Sequence, residues 1–373
     1  MRRRVAFLFL GETLLIPHLY PIVEALAASD PALPIELWVS TSVHETLIGG
    51  WLAATPFANV RMRRAPGFHA LRGHEDGRNP PLPAKLPMLA RLAPRLARTP
   101  VVVCAEQTSL WLPTLLPLPS RFIKTPHGAG SLMRRKDRRR RAAWRTLVAA
   151  PGERAALAAV GVDPARIAVT GYVKAAFRQR TDRAALFAEA RPIILYNPHW
   201  QQHRSSWWRW GGEVIQRIVR SGRYNLIFAP HQRLIESAPE LRAIVADLAN
   251  RHDVLCDLDS FAMVDGSYTA AADFYLGDTS SQIVEFLMRP RPCVFLDAQG
   301  VDWRRDPAYA MWANGAVVND LDALIPALDA APALQPALAD RQAAFVERQL
   351  GPLDGQAPAR AAAEILAALP SAR

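Results

Sequence analysis

Short apolar runs alternate with longer mixed segments along the whole 373-residue chain. In the first half, residues 5–10, 35–40, 101–105, 121–125 and 167–170 each read as a strand. Residues 14–28 read as a helix, despite Pro17 and Pro21 in its early turns. The second half repeats the scheme. Residues 192–196, 224–228, 254–256, 274–276 and 292–296 read as strands, and 212–221 and 279–288 as helices. An Ala-rich stretch, 359–369, predicts a last helix. Short β-rich runs separated by helices indicate parallel sheets. Two such arrays predict an α/β chain of two Rossmann-like domains whose sheets face a central cleft. The expected divisions are 1–175, 190–355 and a C-terminal helix at 356–373, with the join near 174–191.

The chain length agrees, being too great for one compact α/β core and suited to two. Half the residues are hydrophobic, enough for a core in each half. No apolar run reaches the roughly 18–20 residues that span a bilayer. The start, MRRRVAFLFLGET, imitates a secretory leader. Its apolar stretch is only six residues, and Gly11-Glu12 interrupts it, so it reads as a buried first strand. The net charge of +11 favours anionic partners. Cys104, Cys256 and Cys293 are widely spaced in apolar runs and form no metal or disulfide pattern, as in a reducing compartment. A cytoplasmic protein is expected, with peripheral attachment to the inner face of the membrane left open.

In open parallel sheets, ligands sit beyond the carboxyl ends of the strands. His127, His199, His231 and the run Asp278-Thr279-Ser280-Ser281 all follow predicted strands. Asp278 or Thr279 is placed to cap the next helix, where backbone N–H groups and two hydroxyls can hold a diphosphate. Glu285 lies four residues after Ser281 and can hold ribose hydroxyls. The ordinary alternative is a plain helix cap with a solvated Glu. His127 begins a small-residue loop, His127-Gly128-Ala129-Gly130-Ser131, and suits a general base or an electrostatic stabiliser. His231, neutral or protonated, can donate to phosphate oxygens.

Residues 133–145 carry eight basic side chains in thirteen, including Arg134, Arg135, Arg138 and Arg139. Such a run is a solvated face, or a seat for a polyanionic acceptor or anionic lipid. No nucleic-acid-binding module accompanies it, and no nucleic acid is expected. Residues 85–98 set Leu89, Leu92 and Leu96 opposite Arg91, Arg95 and Arg98. That pattern fits a membrane-surface helix or ordinary packing. Trp200, Trp207, Trp208 and Trp210 crowd one loop, either as a stacking surface or as packing.

Over roughly residues 120–300, the chain resembles the CDP-glycerol glycerophosphotransferase family, which includes teichoic-acid and capsule polymer transferases. His127-Gly128-Ala129-Gly130-Ser131 stands where that family has a His-Gly-Thr-Pro-type loop. Thr170-Gly171-Tyr172-Val173-Lys174 is similar to its Gly-Tyr-Pro-Arg strand end, and Tyr196-Asn197-Pro198-His199-Trp200 to its Tyr-Ala-Pro-Thr-Trp segment. Ala229-Pro230-His231-Gln232 keeps the His of a Lys/Arg-x-His-Pro turn. Gly277-Asp278-Thr279-Ser280-Ser281 keeps the Asp and both serines of a Ser-Asp-Tyr-Ser-Ser element.

The resemblance implies a GT-B fold and a CDP- or UDP-linked donor. It implies His127 as base, His231 at the donor phosphates, and Ser280, Ser281 and Glu285 at phosphate and ribose. Gly171, Asn197, His199, Asp278 and Thr279 complete the expected donor site. The chemistry it implies needs neither metal nor other cofactor. The expected activity is transfer of a glycerol-phosphate-type or glycosyl group to a hydroxyl of a cell-envelope polymer or lipid-linked acceptor. A UDP-sugar glycosyltransferase or 2-epimerase on the same fold, and a non-catalytic nucleotide or polymer binder, are the alternatives.

Overall fold

The computed structural model describes residues 3–72, 80–126, 128 and 137–370. The chain divides into two compact units, residues 1–179 with 347–373, and residues 180–346.

The first unit is built on a seven-stranded parallel sheet in the order β3-β2-β1-β4-β5-β6-β7. Its strands are β1 (Val5–Phe9), β2 (Ile35–Thr41), β3 (Val60–His69), β4 (Val101–Cys104), β5 (Arg121–Lys124), β6 (Arg145–Val148) and β7 (Ile167–Val169). Helices α1 (Ile16–Ser29), α2 (Ser42–Ala54), α3 (Lys85–Leu96), α4 (Trp111–Leu115), α5 (Arg138–Ala142) and α6 (Pro151–Ala159) connect them. The leader-like start is β1, buried throughout and paired on both sides, with β2 and β4. A strand covered on both faces needs an unbroken apolar run, which is why this one imitates a leader.

Two strands escape the apolar pattern. β3 is an edge strand with a mostly exposed, arginine-rich sequence, and β6 begins at the end of the basic run. Helix α3 settles the leucine stripe. Leu89, Leu92 and Leu96 are buried in the core with Met88 and Ala93. The membrane-surface reading of that helix is therefore corrected: its apolar face packs against its own sheet.

The second unit holds a six-stranded parallel sheet, β10-β9-β8-β11-β12-β13. These are β8 (Ile193–Asn197), β9 (Asn225–Phe228), β10 (Val254–Cys256), β11 (Phe274–Gly277), β12 (Cys293–Leu296) and β13 (Ala316–Val318). Its helices are α7 (Trp207–Ser221), α8 (Gln232–Ser237), α9 (Leu241–Leu248), α10 (Ala262–Asp265), α11 (Ser267–Ala271), α12 (Gln282–Phe286) and the long α13 (Leu324–Leu350), whose residues from Glu347 on belong to the first unit.

Helix α7 starts earlier than its polar–apolar period suggests, because Trp207 and Trp210 belong to it and are buried in the core. Trp207 stacks on Phe228 at 5.4 Å between ring centroids. Gly211 makes this possible, since a Cβ there would meet the Trp207 ring at 2.3 Å. The stacking-loop reading of the tryptophans is thus corrected for Trp207 and Trp210. Trp200 and Trp208 stay partly exposed.

Helix α14 (Ala357–Ala367) belongs to the first unit, where it packs on α1. Arg360 Nε donates to the Thr170 carbonyl at 2.7 Å, and Arg145 pairs with Glu364 at 3.0 Å. Among the described residues, no helix is long and apolar enough to cross a membrane.

Candidate functional site

Strands β9, β8 and β11 are neighbours, so the loops beyond their carboxyl ends are neighbours too. The sheet winds one way through β9 and β10 and the other way through β11 to β13, which makes β8/β11 the switch point where ligands bind. Three hydrogen bonds fasten the loops together. Asn197 Nδ2 donates to the Ala229 carbonyl at 2.5 Å. The His231 N–H donates to the Pro198 carbonyl at 3.3 Å. The His199 N–H donates to Asp278 Oδ2 at 2.9 Å.

This places two of the predicted histidines side by side, with His199 and His231 ring centroids 6.2 Å apart. Trp200 flanks both, 5.8 Å from His199 and 6.2 Å from His231, and the Arg233 guanidinium lies over its ring at 5.1 Å. Each imidazole accepts a backbone N–H at Nδ1: from Gln201 in His199 at 3.1 Å, and from Arg233 in His231 at 3.2 Å. An accepting Nδ1 carries no proton, so the proton sits on Nε2 and makes Nε2 a donor. Burial pushes both imidazoles down to about 4; the neighbouring His231 adds to this in His199, and Arg233 in His231. The site therefore holds two neutral imidazoles at pH 7. This narrows the open choice for His231 to the neutral form in the unliganded protein.

Asp278 is fully buried, 0% exposed, and serves the scaffold. Burial pushes its carboxyl up to about 7, while bonds from the His199 N–H and from Ser205 and Ser206 pull it back. Ser206 also bonds the Tyr196 hydroxyl at 3.0 Å, and Trp312 Nε1 donates to the Asp278 carbonyl at 3.1 Å. Two expectations are corrected here. Asp278 does not cap the following helix: its Oδ2 accepts the His199 N–H from the β8 loop, and its Oδ1 is buried with no hydrogen-bond partner. The helix itself, α12, has five residues instead of ten, so it has little dipole to offer.

Ser280 Oγ instead accepts the Gln282 N–H at 3.2 Å. Thr279 is buried, and its hydroxyl has no hydrogen-bond partner. Ser281 is exposed, whereas Glu285 is only 7% exposed. The i+4 spacing thus does not give those two residues one open face. Gly171 belongs to the first unit, and packing accounts for it. Its φ is +92°, and a Cβ would meet Arg360 Nη2 at 2.9 Å and Ala357 Cβ at 3.1 Å. The close approach of α14 thus accounts for a glycine at this position.

His127, Arg134 and Arg135 lie outside the described residues. Arg138 and Arg139 both lie over the Trp111 ring, at 4.9 and 5.1 Å, and Arg139 pairs with Asp137 at 2.6 Å.

The first unit carries its own polar cluster, at the carboxyl ends of β4, β5 and β6. A cavity there is lined by Gln107, Lys124, Thr125, Arg140 and Glu153 among apolar neighbours. Burial pushes Lys124 down to about 8 and raises the Glu153 carboxyl. On α1, His18 Nε2 accepts the Gly128 N–H at 3.4 Å. Sequence reasoning missed these residues. The available signal was a lysine inside an otherwise apolar strand run. Among the described residues, no group of three His, Cys, Asp or Glu side chains is arranged to hold a metal ion.

No protein-family model matches the chain, and no curated protein does either. Solved structures do. The wall teichoic acid polymerase TagF superposes with a TM-score of 0.64 at 13% identity, over 98% of this chain and 89% of that one. The UDP-GlcNAc 2-epimerase from Neisseria meningitidis, solved with UDP-GlcNAc bound, gives 0.63 at 11% identity, over 98% and 99%. A putative UDP-N-acetylglucosamine 2-epimerase from Listeria monocytogenes gives 0.59 at 14% identity, over 97% and 95%. With its two parallel sheets of seven and six strands, the chain has a GT-B-type α/β fold.

Proposed function

We propose that the protein is a transferase that takes a glycerol-phosphate-type or glycosyl group from a nucleotide-diphosphate donor and passes it to a hydroxyl of a cell-envelope polymer or lipid-linked acceptor. The observation that carries this is the pair of Nε2–H donors, on His199 and His231, at the switch point of the second sheet. Neutral donors in a partly dry site suit a diphosphate: they cost little to bury empty, and they strengthen as charge grows on the leaving phosphate. Ser280, Ser281 and the unpartnered Thr279 hydroxyl extend the donor set from β11. Trp200 and Arg233 offer a planar surface beside it.

The like-folded TagF is a teichoic acid polymerase that has been solved with CDPG, and this supports a donor of that class. His127 follows β5 in the chain and is the candidate base for the acceptor hydroxyl. No metal is required in this scheme. A cytoplasmic protein held at the membrane face through Arg134, Arg135, Arg138 and Arg139 completes the reading.

A second reading, a UDP-sugar 2-epimerase, is supported by coverage: the chain spans 95–99% of the epimerase chains but 89% of TagF. One assay separates the two. The protein is incubated with CDP-glycerol or UDP-GlcNAc, with and without an acceptor primer. Acceptor-dependent release of CMP or UDP supports the transferase. Acceptor-independent change of the UDP-sugar supports the epimerase and contradicts the transferase.

A further inference from the structure

The cavity in the first unit has a chemistry of its own. It lies beyond the carboxyl ends of β4, β5 and β6 and is partly open to solvent. Lys124 is 3% exposed and Thr125 is 0% exposed, yet both line it. The Lys124 ammonium donates to the Thr125 carbonyl and keeps two further protons. The Thr125 hydroxyl and the Gln107 Nε2 are buried with no hydrogen-bond partner. A buried donor left unmade costs free energy, and two beside a buried ammonium require an explanation.

The charges around the cavity narrow the choice. Lys124 and Arg140 supply two cations, and Glu153 supplies one anion. Glu153 is already engaged, since its Oε2 accepts the Ala149 N–H at 2.7 Å. Just outside the lining, Asp137 faces Arg140, and Glu106, paired with Lys85 at 2.6 Å, faces Lys124. The three donors, an ammonium, a hydroxyl and an amide, come from the ends of two different strands. A planar carboxylate offers two oxygens in one plane, whereas a tetrahedral phosphate offers acceptors in several directions.

We propose that this cavity is a subsite for a singly charged phosphodiester, held by Lys124, Thr125 and Gln107. Its place in the chain, directly before His127, suits the last phosphodiester of an acceptor polymer whose terminal hydroxyl is the attacking group. That identity of the ligand rests on the transferase reading; the anion site does not.

The test titrates the full-length protein with dimethyl phosphate, acetate, glycerol and, separately, CDP, by calorimetry and thermal shift. Wild type is compared with Thr125→Val and Lys124→Met. The expected result is saturable binding of dimethyl phosphate and of neither acetate nor glycerol. Thr125→Val should weaken it about tenfold, the worth of one hydrogen bond to a charged group. The same variant, which removes an unmatched hydroxyl without changing shape, should melt higher than wild type when unliganded. Thr125→Val also guards against Lys124→Met failing to fold. The inference is overturned if dimethyl phosphate does not saturate, if acetate binds as well, or if Thr125→Val leaves its affinity unchanged. CDP binding without dimethyl phosphate binding overturns the subsite and leaves the donor reading intact. The reverse pattern supports the subsite and removes the donor reading.

Discussion

The carboxylate of Asp278, at the end of β11, accepts the backbone N–H of His199, at the end of β8, at 2.9 Å. This bond spans the switch point of the second sheet. It fixes the segment that carries His199 and Trp200 against the one that carries Thr279 and Ser280. The shape of the site therefore depends on this buried carboxylate.

Asp278→Leu should cost about 2–4 kcal/mol, because it leaves the buried His199 N–H unmatched and puts a differently shaped side chain into a closed site. Nucleotide affinity should fall with it. Asp278→Asn keeps an acceptor and removes the buried charge. Burial raises the folded-state carboxyl from 3.8 to about 7, so its contribution to stability is complete below pH 4 and is lost as pH rises to 7. The Asn variant should therefore gain on wild type as pH rises from 4 to 7. Melting curves across that range read the difference.

The histidines titrate in the opposite sense. Burial lowers His199 and His231 from 6.5 to about 4. Their contribution to stability is present above pH 6.5 and is lost as pH falls through the window from 6.5 to 4. A bound diphosphate favours the imidazolium, so binding should take up protons and tighten as pH falls from 7.5 to 5.5. Calorimetry with CDP checks this. His231→Asn should flatten the slope relative to wild type, which separates the protein's protons from those of CDP itself.

Arg291 supports α12 from beneath. Its guanidinium donates to the carbonyls of Thr269, Ala270, Ala272, Phe286 and Arg289 and lies 3.8 Å from the Phe286 ring centroid. Arg291→Met keeps an unbranched apolar stem and removes every side-chain donor. It should lower stability by about 2–4 kcal/mol, as measured by urea unfolding.

Gly171→Ala tests a packing role. The left-handed backbone and the contact with Arg360 should cost about 1–3 kcal/mol. CDP affinity should not change, because the residue packs on α14. A loss of CDP affinity at unchanged melting temperature would return Gly171 to the donor site.

Much of the fold was legible in the sequence because buried parallel strands read as unbroken apolar runs. The strands through 5–10, 101–105, 192–196 and 292–296 are all present. The strands that were not legible lack that signature: β3 is a polar edge, β6 follows a basic run, and β13 is a short edge strand that is only partly buried. The clustering of His199, His231 and the 278–281 run was visible as a rule about strand ends. Their individual roles were not, because they depend on partners distant in sequence. Asp278 looked like a helix cap until its partner, 79 residues away, was known. Lys124 and Thr125 looked like the tail of a strand because orphaned donors have no sequence signature.

Nucleotide binding tests the central claim most directly. The purified protein is screened by thermal shift against CDP, UDP, GDP and ADP, with and without EDTA. A ligand that binds only the folded state must raise its melting temperature. The account predicts stabilisation by CDP or UDP that survives EDTA and weakens in His231→Asn. No shift with any nucleotide at millimolar concentration would contradict it.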